Sequence, residues 1–313
     1  FIDGGSYTEQ TLRENTGDFG NIRVRQRVMR DVSKLDCSTT LLGKKHKLPV
    51  VLAPIGMAGM MARRAEVQAI QAAEAADVPL CLSTVSICPL EEVAAAASKP
   101  FWFQLYMMRD REFVQKLLQR AADAGCDTLM FTVDLAVVGA RYRDVRNGLT
   151  SATGGLRKFG QLISHPSWLY DVGIRGKPHV FGNLAEFVPD ARRIDAFKDW
   201  VDSQFDASTT WEDIAWLRSI WKGKLVIKGV LEPEDALAAM NVGADAIVVS
   251  NHGGRQLDGV RSAISMLPAV VDAVGGRAEV FVDGGIRSGQ DIAKAIALGA
   301  DGVMIGRPWI WAM

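Results

Sequence analysis

Apolar residues in this chain gather in short continuous runs, and the runs alternate with stretches of helical period. The runs lie at 49–53 (PVVLA), 80–83 (LCLS), 101–106 (FWFQLY), 128–133 (TLMFTV), 224–228 (KLVIK), 246–250 (AIVVS), 279–283 (EVFVD) and 302–305 (GVMI). Continuous rather than alternating apolar residues suit strands buried on both faces. Three of the junctions share one plan. Gly125-Cys126-Asp127, Gly243-Ala244-Asp245 and Gly299-Ala300-Asp301 each close an alanine-rich stretch and open an apolar run. Glycine there takes the left-handed position that ends a helix, and a short loop leads into the next strand.

Between the runs the spacing predicts helices over 64–77, 110–124, 232–241 and 290–298, with a shorter one over 91–97 after Pro89. Strands alternating with helices require parallel pairing and right-handed crossovers. Eight such units predict an α/β fold, the (β/α)8 TIM barrel. We read 1–313 as a single domain of this kind. Residues 1–48 precede the first strand and form an N-terminal cap segment over one end of the barrel. About 90 residues separate the fourth and fifth strands, far more than one helix needs. The part from 141 to 205 is therefore read as an inserted excursion or lid. The start at Phe1 and the stop soon after the eighth strand read as a piece cut at both ends.

Composition narrows the class. The 313 residues are 48% hydrophobic, enough for a large core, and 36 Lys and Arg cancel 36 Asp and Glu. A balanced charge argues against nucleic acid, which is held by an excess of cations. Cys37, Cys81, Cys88 and Cys126 show no CxxC spacing, so neither a metal site nor a disulfide framework is expected. No stretch reaches the roughly 20 apolar residues of a membrane span. A cytoplasmic protein is the expectation.

In a barrel the chemistry belongs to the carboxyl ends of the strands. Those ends carry Pro54, Ser83, Gln104 with Tyr106, Thr132 with Asp134, Lys228, Ser250 with His252 and Arg255, Asp283, and Gly306 with Arg307. So many polar groups at one face imply a polar ligand with many contacts. The segment 250–258 (SNHGGRQLD) sets His252 and Arg255 around two glycines, pairing a proton-moving group with an anion-holding one. The segment 283–289 (DGGIRSG), followed by Gly306-Arg307, puts glycines and arginines at helix starts after strands seven and eight, the recurrent phosphate position of this fold.

With 250–258, 102–106 (WFQLY), 132–134 (TVD), Lys228-Gly229 and 283–287 (DGGIR), the sequence resembles the FMN-dependent L-2-hydroxy acid oxidases and dehydrogenases. The group includes glycolate oxidase, mandelate dehydrogenase and flavocytochrome b2. The wording at 83–86 (STVS) and 139–144 (GARYRD) is closest to the bacterial respiratory L-lactate dehydrogenases.

The resemblance implies FMN as cofactor and oxidation of an L-2-hydroxy acid, L-lactate first, to the 2-oxo acid. Electrons would pass to a quinone; the alternative is an oxidase, open to a larger substrate, that uses O2 and makes peroxide. His252 would take a proton, with Asp134 stabilising the imidazolium. Arg255 and Arg141 would clamp the substrate carboxylate, and Tyr106 would bond its hydroxyl. Lys228 would sit against the flavin and favour its reduced, anionic form.

The carried-over cofactor contacts are Pro54, Gly56, Ser83, Gln104, Thr132, Lys228 and Ser250, with Asp283, Gly285, Arg287, Gly306 and Arg307 at the phosphate. Two departures stand out. Phe1 takes a position where the family usually has a substrate-binding Tyr, and Gly56 one where oxidases often have Ala. Relatives form tetramers or larger assemblies, which implies a homo-oligomer. The excursion holds ten Lys or Arg against five Asp or Glu between 141 and 198, and with Trp168, Leu169 and Tyr170 predicts peripheral contact with an anionic membrane. A flavin-barrel isomerase, a Lys228 Schiff-base aldolase and a ligand-binding barrel without catalysis are the rivals.

Overall fold

The computed structural model describes residues 1–147, 160, 162–187 and 203–313. A hairpin, β1 (Thr39–Leu41) and β2 (Lys44–His46), precedes eight parallel strands. These are β3 (Val50–Leu52), β4 (Cys81–Ser83), β5 (Trp102–Leu105), β6 (Thr128–Thr132), β7 (Lys224–Val230), β8 (Ala246–Val249), β9 (Glu279–Asp283) and β10 (Gly302–Ile305). β10 pairs with β3, and a parallel bridge between Leu52 and Leu80 joins β3 to β4, completing the ring. Each strand falls within or beside its expected run. The helices at Ala65–Ala76, Leu90–Ala96, Arg111–Asp123, Pro233–Asn241 and Gly289–Ala297 match the predicted ones to within one residue at either end. Two more, Trp211–Ile220 and Ala263–Val274, complete the alternation.

Strand residues split by parity between two apolar layers. Val51, Cys81, Trp102, Met130, Val226, Val248, Phe281 and Met304 fill the barrel interior, and Phe103, Leu129, Phe131, Ile227, Ile247 and Val303 face the helices. The repeated Gly-x-Asp junction has a physical reason. Gly125, Gly243 and Gly299 carry φ of 84°, 85° and 101°. The carboxylate of Asp245 accepts the amide of Leu225 at 2.9 Å, and that of Asp301 accepts the amide of Val280 at 2.8 Å. The aspartates thus satisfy amides at the starts of β7 and β9, which the barrel rim leaves without a ladder partner.

The N-terminal segment corrects the expectation that it covers one end. It covers parts of both. Leu41 and Leu42 plug the amino end of the barrel as part of the interior layer, with the Leu42 amide on Glu279 at 2.8 Å. Residues before the hairpin instead lie at the carboxyl end, where Asp258 accepts from Thr8 and Thr11 beside the helix Gln10–Gly17. A small apolar turn fits the closed end, whereas a polar helix fits the polar mouth. In the excursion, Trp168 donates to the Met60 carbonyl and Phe205 packs on Tyr106, so described parts of it return to the mouth. Arg157, Lys158, Asp190, Arg192, Arg193, Asp195 and Lys198, nearly half of its charge pattern, lie outside the described residues.

Candidate active site

Lys228, at the end of β7, is 4% exposed and donates to Ser250 Oγ at 2.9 Å. Its Nζ lies 3.0 Å from Asp283 Oδ2. Burial opposes its charge, but the Asp283 and Asp134 carboxylates outweigh that and raise its pKa. Beside it Gln104 is fully buried, donating to Thr132 Oγ1 at 3.1 Å and accepting from Ser83 Oγ at 3.3 Å. Ser83, Gln104, Thr132, Lys228 and Ser250 therefore form one polar floor across β4 to β8.

Above that floor His252 Nδ1 meets Asp134 Oδ1 at 2.8 Å. Burial acts to raise the Asp134 carboxyl, yet its contact with His252 and the nearby Lys228 ammonium prevail and hold it below the ordinary carboxylate range. Gly229 makes this approach possible. It sits at a register shift in β7 with φ of 105°, and a Cβ there would fall 2.7 Å from Asp134 Cγ. His252 itself holds φ of 58°, followed by Gly253 and Gly254 at 63° and 73°. A left-handed backbone at a non-glycine residue is uncommon and clusters at functional sites.

Arg255 donates from one Nη1 to the carbonyls of Phe1, Ile2 and Gly4 at 3.0, 3.2 and 2.8 Å. The Phe1 ring lies over two guanidinium groups, 5.0 Å from Arg255 and 5.5 Å from Arg141. Burial, then Arg141 and Arg307, lower the Arg255 pKa to about 9. Burial and Arg287 lower that of Arg307 to about 10. Three guanidinium groups close enough to depress one another invite an anion. Tyr106 is half-buried against Phe205, and burial followed by Asp134 pushes its phenol upward, keeping it a neutral donor.

Asp283, Gly285, Gly306 and Arg307 gather at the ends of β9 and β10, and Arg307 donates to the carbonyls of Ile2, Gly253 and Gly4. Arg287 turns outward onto the Trp311 ring at 5.0 Å. Both arginines line one 390 Å³ cavity with Asp3, Arg13, Arg143 and Trp311. Pro54 and Gly56 follow β3 at the rim; a Cβ on Gly56 would lie 2.7 Å from Val85 Cγ2. Every expected site residue thus lies at the carboxyl end of the barrel.

Four further residues organise the site. Asn15 and Asn251 form a buried amide pair, Gln256 ties two loops together, and Asp258 anchors the helix Gln10–Gly17. Three of these stand inside the 250–258 motif, whereas nothing local marks Asn15.

The donor set fits FMN. Asp134 Oδ2 and Asp283 Oδ1 are buried oxygens without a protein partner at the mouth, as acceptors for a polar ligand would be. The amide and hydroxyl floor suits the ring, and the arginine-lined cavity suits the phosphate.

The chain matches the FMN-dependent dehydrogenase family over residues 1–313. It is 53% identical to an L-lactate dehydrogenase of Caulobacter sp. (strain K31), over all of this chain and 82% of that one. It is 49% identical to an L-lactate dehydrogenase of Alcaligenes faecalis, over all of this chain and 83% of that one. Among solved structures, the monotopic membrane protein (S)-mandelate dehydrogenase superposes with a TM-score of 0.91 at 34% identity, covering 99% of this chain and 82% of that one. Mandelate oxidase gives 0.82 at 37% identity, covering 100% and 80%. The chain belongs to the FMN-dependent dehydrogenases. It is a flavoprotein oxidoreductase of the TIM-barrel class that acts on a 2-hydroxy acid.

Proposed function

We propose that the protein oxidises L-lactate to pyruvate and passes the electrons to a quinone-type acceptor. The observation that carries this reading is the His252–Asp134 contact at 2.8 Å in the same mouth as the guanidinium groups of Arg255 and Arg141. A base poised beside an anion clamp is what a hydroxy acid requires. Arg255 and Arg141 hold the carboxylate, Tyr106 bonds the hydroxyl, and His252 accepts one proton from the substrate, from the α-carbon or from the hydroxyl. The Asp134 carboxylate stabilises the imidazolium so formed. FMN, when bound, supplies the two-electron acceptor. The contacts that hold it are those of Pro54, Gly56, Ser83, Gln104, Thr132, Lys228 and Ser250, with Asp283, Gly285, Arg287, Gly306 and Arg307 at its phosphate. Identity near 50% to several L-lactate dehydrogenases supports lactate over a larger acid.

The second reading is an oxidase that returns electrons to O2. The close fit of Gly56 against Val85 bears on it, because this is the position where oxidases often carry a methyl group. Anaerobic bleaching of the purified flavin by a panel of L- and D-2-hydroxy acids, followed by quinone or air, tests both. Rapid recovery with quinone and slow recovery in air supports the dehydrogenase; the reverse supports the oxidase.

The same reading treats 1–313 as one FMN-binding domain of a homo-oligomer, with 141–205 inserted. It also places the enzyme at the cytoplasmic face of a membrane, touching it through that excursion. Among the described residues no helix is long and apolar enough to cross a membrane. Exposed Ile163, Tyr170 and Ile174 next to Arg175 and Lys177 support surface contact. Unchanged partitioning to anionic vesicles after deletion of 150–185 would remove it.

A further inference from the structure

The 250–258 motif contains a residue that the reaction itself does not use. Gln256 is buried, follows Arg255 directly, and turns its amide toward the loop that leaves β6. Its Nε2 donates to the carbonyls of Asp134 at 2.9 Å and Val137 at 3.0 Å. Its Oε1 accepts the Gly139 amide at 3.4 Å. A carboxamide has two N–H donors and a carbonyl acceptor, and here both donors and the acceptor are spent on one stretch of backbone. That stretch runs from Asp134, the partner of His252, to Gly139, two residues before Arg141, whose guanidinium shares the Phe1 ring with Arg255. The two loops also meet closely: a Cβ on Gly139 would fall 2.4 Å from the Arg255 carbonyl.

We propose that Gln256 is a positioning residue that sets the carboxylate clamp, by fixing the loop of Asp134 and Arg141 against the loop of His252 and Arg255. The two guanidinium groups come from separate loops, so their spacing depends on the ties between those loops, the Gln256 amide and the His252–Asp134 contact among them. Arg141 and Arg255 are both cations and repel each other. Without the amide, that repulsion opens the clamp, and the Asp134 and Val137 carbonyls lose their donor. Loss of register of about 1 Å is enough to weaken a bidentate grip many-fold. The proposal rests on the roles given above to Arg141 and Arg255.

Gln256→Glu and Gln256→Met separate positioning from shape. Glutamate has the same outline but offers no donor and turns negative oxygens toward two carbonyls. Methionine fills the space with no hydrogen bond. Both variants are purified as holoenzyme. Oxalate, a small planar dicarboxylate, is titrated against the flavin absorbance without turnover, and kcat and KM for L-lactate are measured beside it. The expected result is retained FMN, a rise in oxalate Kd and lactate KM of at least roughly fivefold, larger for Glu, and a smaller change in kcat. A smaller rise in the Met variant overturns the proposal, whatever happens to Tm. Loss of FMN from both variants also overturns it, because none of the flavin contacts named above is made through this amide, which bonds only the 134–139 backbone. A wild-type flavin bleached by no 2-hydroxy acid instead counts against the proposed reaction, and the oxalate comparison still decides the role of Gln256.

Discussion

The side-chain amides of Asn15 and Asn251 are paired head to head, each Nδ2 donating to the other's Oδ1, at 2.7 and 2.9 Å. Asn15 is 1% exposed and also accepts from the Ala263 amide, while Asn251 donates to the Arg261 carbonyl and accepts from Gly254. One pair thus welds the N-terminal helix to the turn that carries His252. Replacing Asn15 by Ala leaves buried donors and acceptors unmet, at a cost of about 1–3 kcal/mol. Urea unfolding followed by flavin fluorescence measures this as a lower midpoint with an unchanged slope.

Gly285 tolerates no side chain. Its φ is 84°, and a Cβ would lie 1.7 Å from the Asn15 carbonyl, a backbone atom with nowhere to go. Gly285→Ala therefore displaces the helix or the turn after β9, a strain of at least about 1–3 kcal/mol from the backbone angle alone. The purified variant is expected to show a ratio of flavin to protein absorbance well below that of the wild type.

Asp134 makes stability depend on pH in a definite direction. Its folded-state carboxyl lies below the ordinary value, so the charged form is favoured by folding. Its contribution is fully present above the unfolded value of about 3.9 and is lost as pH falls through the depressed folded one. Asp134→Asn removes that contribution. The Tm gap between wild type and variant is therefore expected to narrow as pH drops below 4. Calorimetry from pH 7 to pH 3 reads the gap directly.

Gly56 and Val85 are coupled by space. The 2.7 Å approach means that Gly56→Ala must push the Val85 methyl aside, at a cost of roughly 1–3 kcal/mol. Val85→Ala clears that room. The double variant is expected to regain most of the stability lost in Gly56→Ala, a non-additive result in a double-mutant cycle. Reoxidation of the reduced flavin in air, followed in the same proteins, shows whether a methyl at this position alters access of O2.

Much of the barrel is legible in the sequence because strands buried on both faces must be continuously apolar, as at 246–250 and 279–283. The Gly-x-Asp junctions announce helix ends, although the work of Asp245 and Asp301, meeting amides of the neighbouring strand, appears only in three dimensions. The hairpin of β1 and β2 escapes the pattern: Lys44 and Lys45 are exposed, and only Leu41 at the end of β1 and Leu42 in the turn bury apolar side chains. The site is legible where its residues share a motif, as His252 and Arg255 do. Asn15 is not, because its partner lies 236 positions away and a lone asparagine in a polar helix carries no local signal. Gln256 and Asp258 stand in plain view, yet their roles depend on the loops they touch.

In the proposed reaction His252 moves the substrate proton beside a flavin on this barrel floor. Anaerobic stopped-flow reduction of the bound FMN by L-lactate tests it most directly, with His252→Asn as the comparison because asparagine accepts the left-handed backbone of φ 58°. The expected result is an intact flavin spectrum in the variant and bleaching about 10²–10⁴-fold slower than in the wild type. Bleaching of the variant at the wild-type rate would contradict it.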